Sequence, residues 1–269
     1  MILPKKLKDI ELFLMDMDGT IYHEDEIIPG VLEFFALLRT QGKRYAFMTN
    51  NSSKGRKSYV EKLTRLGIAA TEEQIVSSVN ATVHYLNCIK PDAKIYLVGT
   101  ESLKEELIGE GFMIASVDYR GADVDFVLLG YDTELTYAKL EGACYHISQG
   151  VKYIATNCDL RCPVRDGRYI PDCGAIAKMI CDATEVMPLF LGKPERTMVD
   201  AAAEKWNVPI DRIACVGDRL YTDVQVGINA GCTTVCVLTG EATELDIEAM
   251  SKKPDYVLSS IKELYQELI

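Results

Sequence analysis

Several features that would point to common alternative functions are scarce in this sequence. It contains only three histidines, His23, His84 and His146, and none has the spacing of a metal site or a catalytic triad. No apolar run approaches the roughly 20 residues that a membrane-spanning helix needs. The first ten residues carry three lysines but no apolar stretch typical of a signal peptide. We therefore expect a cytoplasmic protein with no membrane partner and no histidine base.

Basic residues are also few relative to acidic ones. Lysine and arginine number 29 against 40 aspartates and glutamates, a formal net charge of −11 at pH 7. A general nucleic-acid binder gains much of its affinity from a basic footprint on phosphates, so no nucleic-acid partner is expected. An acidic protein surface does not by itself attract small anionic substrates either. A site for an anionic substrate must therefore be made positive locally.

The nine cysteines lack the paired Cys-x-x-Cys spacing of many zinc sites. Their number is odd, they are scattered, and several lie inside apolar stretches, as expected of reduced thiols that act as small core residues. Zinc is not favoured even at the four that lie closest together, because no histidine lies among them: Cys158, Cys162, Cys173 and Cys181.

The most informative segment is Leu12 to Thr20, Leu-Phe-Leu-Met-Asp-Met-Asp-Gly-Thr. Its apolar start predicts a strand buried on both faces, and Asp16 and Asp18 follow at the C-terminal end, where open α/β sheets bind ligands. Side chains two apart in an extended chain face the same way, and two such carboxylates need a cation or a shared proton. A calcium loop does not fit, since Ile21 and Ile27 occupy the required Gly and Glu positions. Alone, the segment is equally consistent with a polar turn.

A second apolar run, Arg44 to Met48, ends in Thr49-Asn50-Asn51-Ser52-Ser53, which precedes a helical stretch from about Lys54 to Leu66. Hydroxyl, amide and backbone N–H groups that converge at a helix N-terminus bind oxygen-rich anions well. Ordinary capping of the helix by Ser52 or Ser53 is compatible with this interpretation.

Two later segments add a lysine and two carboxylates. Lys193 lies just before Pro194, which we expect to begin a helix that runs to about Trp206. An apolar strand then ends in Gly217-Asp218, and Asp223 follows in the first turn of a helix. Taken alone, Lys193 is consistent with a solvated surface charge. Taken alone, Asp223 is consistent with an acidic residue stabilised by the helix dipole. Together the strand ends supply four carboxylates, a hydroxyl and an ammonium, which suit a hard cation and a transferable phosphoryl group.

Strand-like and helix-like stretches alternate throughout the chain, which predicts an α/β fold with a doubly wound, mainly parallel, Rossmann-like core sheet. Core strands are expected at 12–15, 45–48, 213–216, 234–237 and 256–258. A middle block has strands near 94–98, 126–129 and 153–156 and helices near 101–110 and 136–149. This block, residues 81–186, is predicted to be an inserted α/β domain, with residues 1–80 and 187–269 forming the core domain.

The order and spacing of these segments resemble the haloacid dehalogenase superfamily. The resemblance rests on Asp-x-Asp-Gly-Thr at 16–20, on Thr49, on Lys193 and on the Gly-Asp-x-x-x-x-Asp run at 217–223. Residues 49–53 and Ala155-Thr156-Asn157-Cys158-Asp159 narrow it to the NagD-like, p-nitrophenylphosphatase-like subgroup. Two stretches depart from the subgroup's usual Asn-Pro-Asp and Pro-Gly-x-Gly, namely 157–159 and 171–174. These departures put the choice of substrate in doubt.

The resemblance implies a Mg²⁺-dependent phosphatase of small phosphorylated metabolites, in which the inserted block is a cap over the site. It implies that Asp16 is the nucleophile that forms an aspartyl-phosphate and that Asp18 is the general acid and base. Asp16, the backbone carbonyl of Asp18, and Asp218 would hold Mg²⁺.

The same resemblance assigns the phosphate-binding groups. Thr49 and Lys193 would anchor the phosphate oxygens, and Asn50 and Asn51 would extend that cradle. Asp223 would act indirectly, by orienting Lys193 or a metal-bound water.

Alternatives remain open at this point. Phosphoryl transfer to a second substrate, as in a mutase, uses the same groups. A phospho-accepting signalling receiver also uses a strand-end aspartate, but it needs neither the acid Asp18 nor a cap. In the cap, Arg161, Arg165 and Arg168 could contact a second polar feature of the substrate or could form an exposed loop. The oligomeric state is open, with a homodimer as one option.

Overall fold

The computed structural model describes residues 7–164 and 168–269, without the side chains of Pro163 and Val164. Arg165, one of the predicted cap arginines, lies outside the described residues. The chain divides into two compact units: the first contains the chain up to Thr49, Arg56–Val76 and Lys193–Ile269, and the second contains Asn50–Gly55 and Ser77–Gly192. The expected insertion, 81–186, falls within the second unit, which also takes residues 50–55, 77–80 and 187–192.

In chain order, the strands are β1 (Leu12–Met15), β2 (Tyr22–His23), β3 (Glu26–Ile27), β4 (Arg44–Thr49), β5 (Ile75–Ser77), β6 (Lys94–Val98), β7 (Met113–Ile114), β8 (Phe126–Leu129), β9 (Lys152–Ala155), β10 (Arg161–Val164), β11 (Arg168–Pro171), β12 (Leu189–Phe190), β13 (Ile213–Gly217), β14 (Thr233–Val237) and β15 (Tyr256–Leu258). The α-helices are α1 (Val31–Thr40), α2 (Arg56–Arg65), α3 (Ser78–Ile89), α4 (Glu101–Gly109), α5 (Tyr137–Ser148), α6 (Cys173–Thr184), α7 (Thr197–Trp206), α8 (Gln225–Ala230), α9 (Glu244–Ala249) and α10 (Ile261–Leu268).

The first unit is built on a six-stranded sheet in the order β15-β14-β13-β1-β4-β5. Strand β1 runs parallel to β4 and β13, and all four of its apolar side chains are buried, as in a strand covered on both faces. Met15 lies level with Phe47 of β4 and Val216 of β13. Because the three strands end within two residues of this level, the residues that follow them leave the sheet at one edge.

An aromatic cluster supports one face of this sheet. Phe34 and Phe35 of α1 contact strand residues, with ring centroids 5.6 Å apart for Phe13 and Phe34 and 5.6 Å apart for Phe35 and Phe47. Each of these side chains is almost fully buried. Burial of a Phe side chain contributes roughly 1.5–3 kcal/mol, so this cluster helps to fix the position of β1 and of the residues that follow it.

The second unit has a five-stranded sheet in the order β12-β9-β8-β6-β7, and every pairing in it is parallel. Alternate residues of β8 face opposite helix layers. Val127 belongs to the core formed with α5 and α6, and Leu128 to the core formed with α3 and α4. Helices on both faces of a parallel sheet make this unit doubly wound. A separate antiparallel hairpin joins β10 and β11.

The predicted fold class is confirmed, and several element boundaries are corrected. The helix expected to begin at Pro194 begins at Thr197. Ser52 and Ser53 do not cap a helix, because α2 begins at Arg56. The short strands of the β2–β3 hairpin were not predicted, since two-residue strands leave no periodic pattern. Within residues 7–164 and 168–269, no helix combines the length and apolar character that crossing a membrane requires.

Candidate active site

Asp16 is the first residue after β1 and lies among charged groups of the first unit. Its backbone N–H donates to the Val216 carbonyl at 2.8 Å, which extends the parallel pairing by one residue. The Asp16 side chain is 14% exposed, and its Oδ1 accepts a hydrogen bond from Lys193 Nζ at 2.7 Å. The carboxylate is thus fixed at the sheet edge while one side of it remains accessible.

Lys193 lies at the centre of the site, and its side chain is only 4% exposed. Nζ donates to Asp16, to Asp223 Oδ1 at 2.5 Å and to the Met48 carbonyl at 3.3 Å. Burial by itself lowers the lysine pKa, but the charges of Asp16 and Asp223 outweigh burial and raise this pKa above its usual value. The ammonium therefore keeps its charge in the site.

Burial raises the pKa of Asp16 well above its usual value, and the charge of Asp223 raises it further. Lys193 opposes both effects. Burial also raises the pKa of Asp218 to about 6, again with a contribution from Asp223. Both pKa shifts therefore arise from burial first and from the repulsion between neighbouring carboxylates second.

Asp218, directly after β13, is held in a close-fitting cradle. Its Oδ1 accepts a hydrogen bond from Thr20 Oγ1 at 3.1 Å, and its Oδ2 accepts one from the Glu241 N–H at 2.8 Å. A Cβ on Gly240 would lie 1.9 Å from Asp218 Oδ2, and one on Gly19, which has a φ of +88°, would lie 2.6 Å from it. Only glycine fits at both positions.

Asp16, Asp218 and Asp223 each present a carboxylate oxygen, and these atoms lie within 4.8 Å of one another. Three carboxylates at this distance repel each other, and one lysine offsets only part of that charge. Hard divalent cations bind carboxylate oxygens. The donor set and the elevated carboxyl pKa values therefore fit a divalent cation, and the structure contains the acidic group that such an ion requires.

Asp18 and Thr49 are not members of this group of three carboxylates. The Asp18 side chain is 58% exposed and lies 3.7 Å from the ammonium of Lys62. Its turn is held by the Gly19 N–H, which donates to the Tyr22 carbonyl at 2.9 Å. Thr49 is the buried last residue of β4, next to the Met48 carbonyl that accepts from Lys193.

The two predicted amide ligands belong to the second unit. Asn50 Nδ2 donates to Asp159 Oδ2 at 2.9 Å, and Asn51 Oδ1 accepts from the Ser53 backbone N–H at 2.9 Å. Of the predicted cap arginines, Arg161 has its guanidinium 4.3 Å from the centroid of the Tyr169 ring. Arg168 is the first residue of β11.

Sequence reasoning missed the loop after β14 and the residue Thr20. Besides the Glu241 N–H, this loop supplies Thr239 Oγ1, which donates to the Gly19 carbonyl at 2.6 Å. A signal was present, because Thr239-Gly240-Glu241 follows a predicted strand in the way that the other site segments do. Thr20 was quoted in the motif, but its hydroxyl was given no role. Lys62 was also missed, since it lies inside a helix with no motif of its own.

Comparisons with known proteins identify the family. Residues 13–113 match the family described as haloacid dehalogenase-like hydrolase, and residues 190–264 match the one described as HAD-hydrolase-like. An acid sugar phosphatase of Staphylococcus saprophyticus is 34% identical over 262 residues, 97% of this chain and 99% of the relative. The 5′-nucleotidase YutF of Bacillus subtilis is 33% identical over 257 residues, 96% and 98% of the two chains.

Among solved structures, the 4-nitrophenylphosphatase of Thermotoga maritima superimposes with a TM-score of 0.92 and 41% identity over 98% of this chain and 99% of that one. The strand-end carboxylates and this overall likeness define a hydrolase of the haloacid dehalogenase type. The chain belongs to the haloacid dehalogenase-like hydrolase family, within its NagD-like, p-nitrophenylphosphatase-like subgroup. It is a phosphoric monoester hydrolase, and the predictions of family and enzyme class are confirmed.

Proposed function

We propose that the protein is a Mg²⁺-dependent phosphatase that hydrolyses small sugar, nucleotide or related phosphate monoesters through an aspartyl-phosphate intermediate. The observation that carries the proposal is the placement of Asp16, at the end of β1, 2.7 Å from a buried ammonium and close to two further carboxylates. Relatives named as an acid sugar phosphatase and a 5′-nucleotidase support small phosphorylated metabolites as substrates.

In the first step, an Asp16 carboxylate oxygen attacks phosphorus and the ester P–O bond breaks. The leaving alcohol takes a proton from Asp18. In the second step, water attacks the acyl phosphate and gives its proton to Asp18, which releases inorganic phosphate and restores the Asp16 carboxylate. Dividing the hydrolysis into these two steps suits the chemistry, because the acyl phosphate is far more labile than the starting phosphate ester. The exposure of Asp18 supports its role, since the acid must reach a leaving group that enters from solvent.

Lys193 and Thr49 would bind the phosphoryl oxygens, the ammonium as a fixed positive charge and the hydroxyl as a hydrogen-bond donor. The 2.5 Å contact with Asp223 supports a role for Asp223 in orienting Lys193. Asn50 and Asn51, which directly follow Thr49 in the chain, remain predicted to extend this cradle.

Asp16, the Asp18 carbonyl, and Asp218 would hold Mg²⁺, with Asp223 contributing nearby charge. When bound, the cation neutralises the crowded carboxylates and withdraws charge from the phosphoryl group. The small hard oxygen donors favour Mg²⁺ over softer metals. We further propose that the second unit is the cap that governs which substrate is accepted, and that the core domain holds the chemistry.

The test is to trap the intermediate. After incubation with Mg²⁺ and a phosphorylated substrate, borohydride reduction converts an aspartyl-phosphate into homoserine, and peptide mass spectrometry should find that change at Asp16. The Asp16→Asn variant should be folded, inactive and unmodified. Modification at Asp18 or Asp218 instead would overturn the assignment. Turnover that requires an added alcohol acceptor would favour a transferase, and a stable label without multiple turnover would favour a receiver.

A further inference from the structure

Lys62 of α2 reaches the Asp18 carboxylate from a different part of the core domain. Its Nζ lies 3.7 Å from Asp18 Oδ1 and 3.7 Å from the centroid of the Tyr22 ring. The Lys62 side chain is 23% exposed, whereas Asp18 is 58% exposed. The pair therefore sits at the border between the interior and the solvent, where the stem of a lysine can be covered while its head meets a charge.

The Tyr22 ring gives this ammonium a defined position. The ring is almost completely buried, and the carbonyl of the same residue accepts a hydrogen bond from the Gly19 N–H at 2.9 Å. The ring under Lys62 is thus tied to the turn that carries Asp18. A cation over an aromatic face is attracted by the ring quadrupole, and this restrains an otherwise flexible side chain. These two partners of Lys62, Asp18 and Tyr22, come from one short segment.

We propose that Lys62 is a positioning residue, which holds the Asp18 carboxylate in the orientation needed to protonate the leaving group. This inference rests on the proposed function of Asp18 as the general acid and base. An exposed carboxylate beside a turn samples several rotamers, and an attached ammonium favours the one that faces it. Lys62 itself does not touch the reacting atoms in this scheme, so its effect should appear only where Asp18 matters.

The test compares Lys62→Met and Lys62→Arg with Lys57→Met, an exposed lysine on the same helix that serves as a matched control. We expect Lys62→Met to lower kcat for an alkyl phosphate roughly fivefold, the scale of a partly exposed charge pair, with KM unchanged. The loss for p-nitrophenyl phosphate should be smaller, because its leaving group hardly needs a proton. Lys62→Arg should restore most of the rate, and Lys57→Met should match the unmodified protein.

A double-mutant cycle with Asp18→Asn completes the test. If Lys62 acts through Asp18, adding Lys62→Met to Asp18→Asn should cause no further loss. The inference would be overturned if the losses of the two single variants were fully additive, or if Lys62→Met slowed both leaving groups equally. It would also be overturned if Lys62→Met raised KM without changing kcat, because Lys62 would then be a substrate-binding group. If Asp18→Asn itself does not discriminate between leaving groups, the proposed function of Asp18 fails. If Asp18→Asn discriminates and Lys62→Met does not, only the inference fails.

Discussion

Lys193 and Asp223 form a buried ion pair in which the lysine Nζ lies 2.5 Å from Asp223 Oδ1. Their side chains are 4% and 1% exposed, so water contributes little to the solvation of either charge. Asp223 is fixed from its other side, because its Oδ2 accepts the Arg219 N–H at 3.0 Å. The ammonium is thereby held where it also reaches Asp16, and the three groups depend on one another electrostatically.

Lys193→Met should therefore abolish turnover of every substrate and also destabilise the core domain. Breaking a buried ion pair by removing one partner costs about 3–5 kcal/mol, because the remaining charges lose their compensation. Urea unfolding in the presence of EDTA measures this loss, and added Mg²⁺ should recover part of it. Lys252→Met, an exposed site, is the control. An unchanged unfolding midpoint for Lys193→Met would contradict this account of the pair.

Asp18→Asn should lower kcat by roughly 10² to 10⁴ for alkyl phosphates, the usual scale of general acid–base catalysis. The effect should be smaller for p-nitrophenyl phosphate, whose leaving group is stable as an anion. Steady-state kinetics on a series of phosphate esters with different leaving-group pKa values measures this difference. Equal losses across the series would mean that Asp18 does not transfer the proton.

The hairpin of the second unit offers a test of the division between substrate choice and chemistry. Arg168→Ala should change KM or the ranking of natural substrates, with little effect on kcat for p-nitrophenyl phosphate, since a small aryl phosphate has no second feature to recognise. Losses of uniform binding raise KM alone, whereas losses of transition-state binding lower kcat. Thr49→Ala should by contrast impair all substrates. Loss of aryl phosphate turnover in folded Arg168→Ala would assign chemistry to the cap.

Much of the site's geometry was predictable because parallel strands end at a common edge. Asp16, Thr49 and Asp218 each follow or end a short apolar run, and the register of β1 with β4 and β13 brings those ends together. The family resemblance implied that Asp223 orients Lys193 or a metal-bound water, and in the structure Lys193 donates a hydrogen bond to Asp223. Only the convergence of the strand ends follows from the strand pattern, which is a local property of the sequence.

Other features of the site depend on tertiary structure and could not be predicted from the strand pattern alone. Asn50 and Asn51 adjoin Thr49 in sequence, yet they belong to the second unit, where Asp159 binds Asn50. The loop after β14 gave a sequence signal as a strand end, but the contact of the Glu241 N–H with Asp218 also requires that β14 lie beside β13. Pro194 suits a first helical turn, but it occurs equally in turns, and α7 begins later, at Thr197.

His146 predicts a pH dependence of stability in the second unit. It is buried on α5, and its Nε2 lies 3.0 Å from the Tyr119 carbonyl, which a neutral ring protonated at Nε2 can satisfy. Burial lowers the pKa of His146 and the charge of Arg120 adds to this, although the Tyr119 carbonyl opposes them. Below pH 6.5, the ordinary pKa of histidine, the unfolded chain takes up a proton on His146 that the folded state resists. The free energy of unfolding should therefore fall as pH drops below about 6.5.

Other groups titrate over the same range, so the contribution of His146 is isolated by substitution. His146→Gln should show a smaller loss of stability between pH 7.5 and pH 5.5 than the unmodified protein in urea unfolding. His23→Gln, at an exposed position, should keep the original difference. A steeper pH dependence of stability in His146→Gln would contradict the predicted direction of the His146 contribution.

Gly240→Ala tests the cradle around Asp218 without removing any ligand. The added methyl group would lie 1.9 Å from Asp218 Oδ2, so the carboxylate has to move, and its hydrogen bond from the Glu241 N–H at 2.8 Å is strained. We expect Gly240→Ala to need roughly tenfold more Mg²⁺ for half-maximal activity, the effect of about 1.4 kcal/mol on binding. Gly109→Ala is the matched control, because nothing lies within 4 Å of its added methyl group. An unchanged Mg²⁺ requirement in Gly240→Ala, together with normal folding, would mean that Asp218 does not hold the cation.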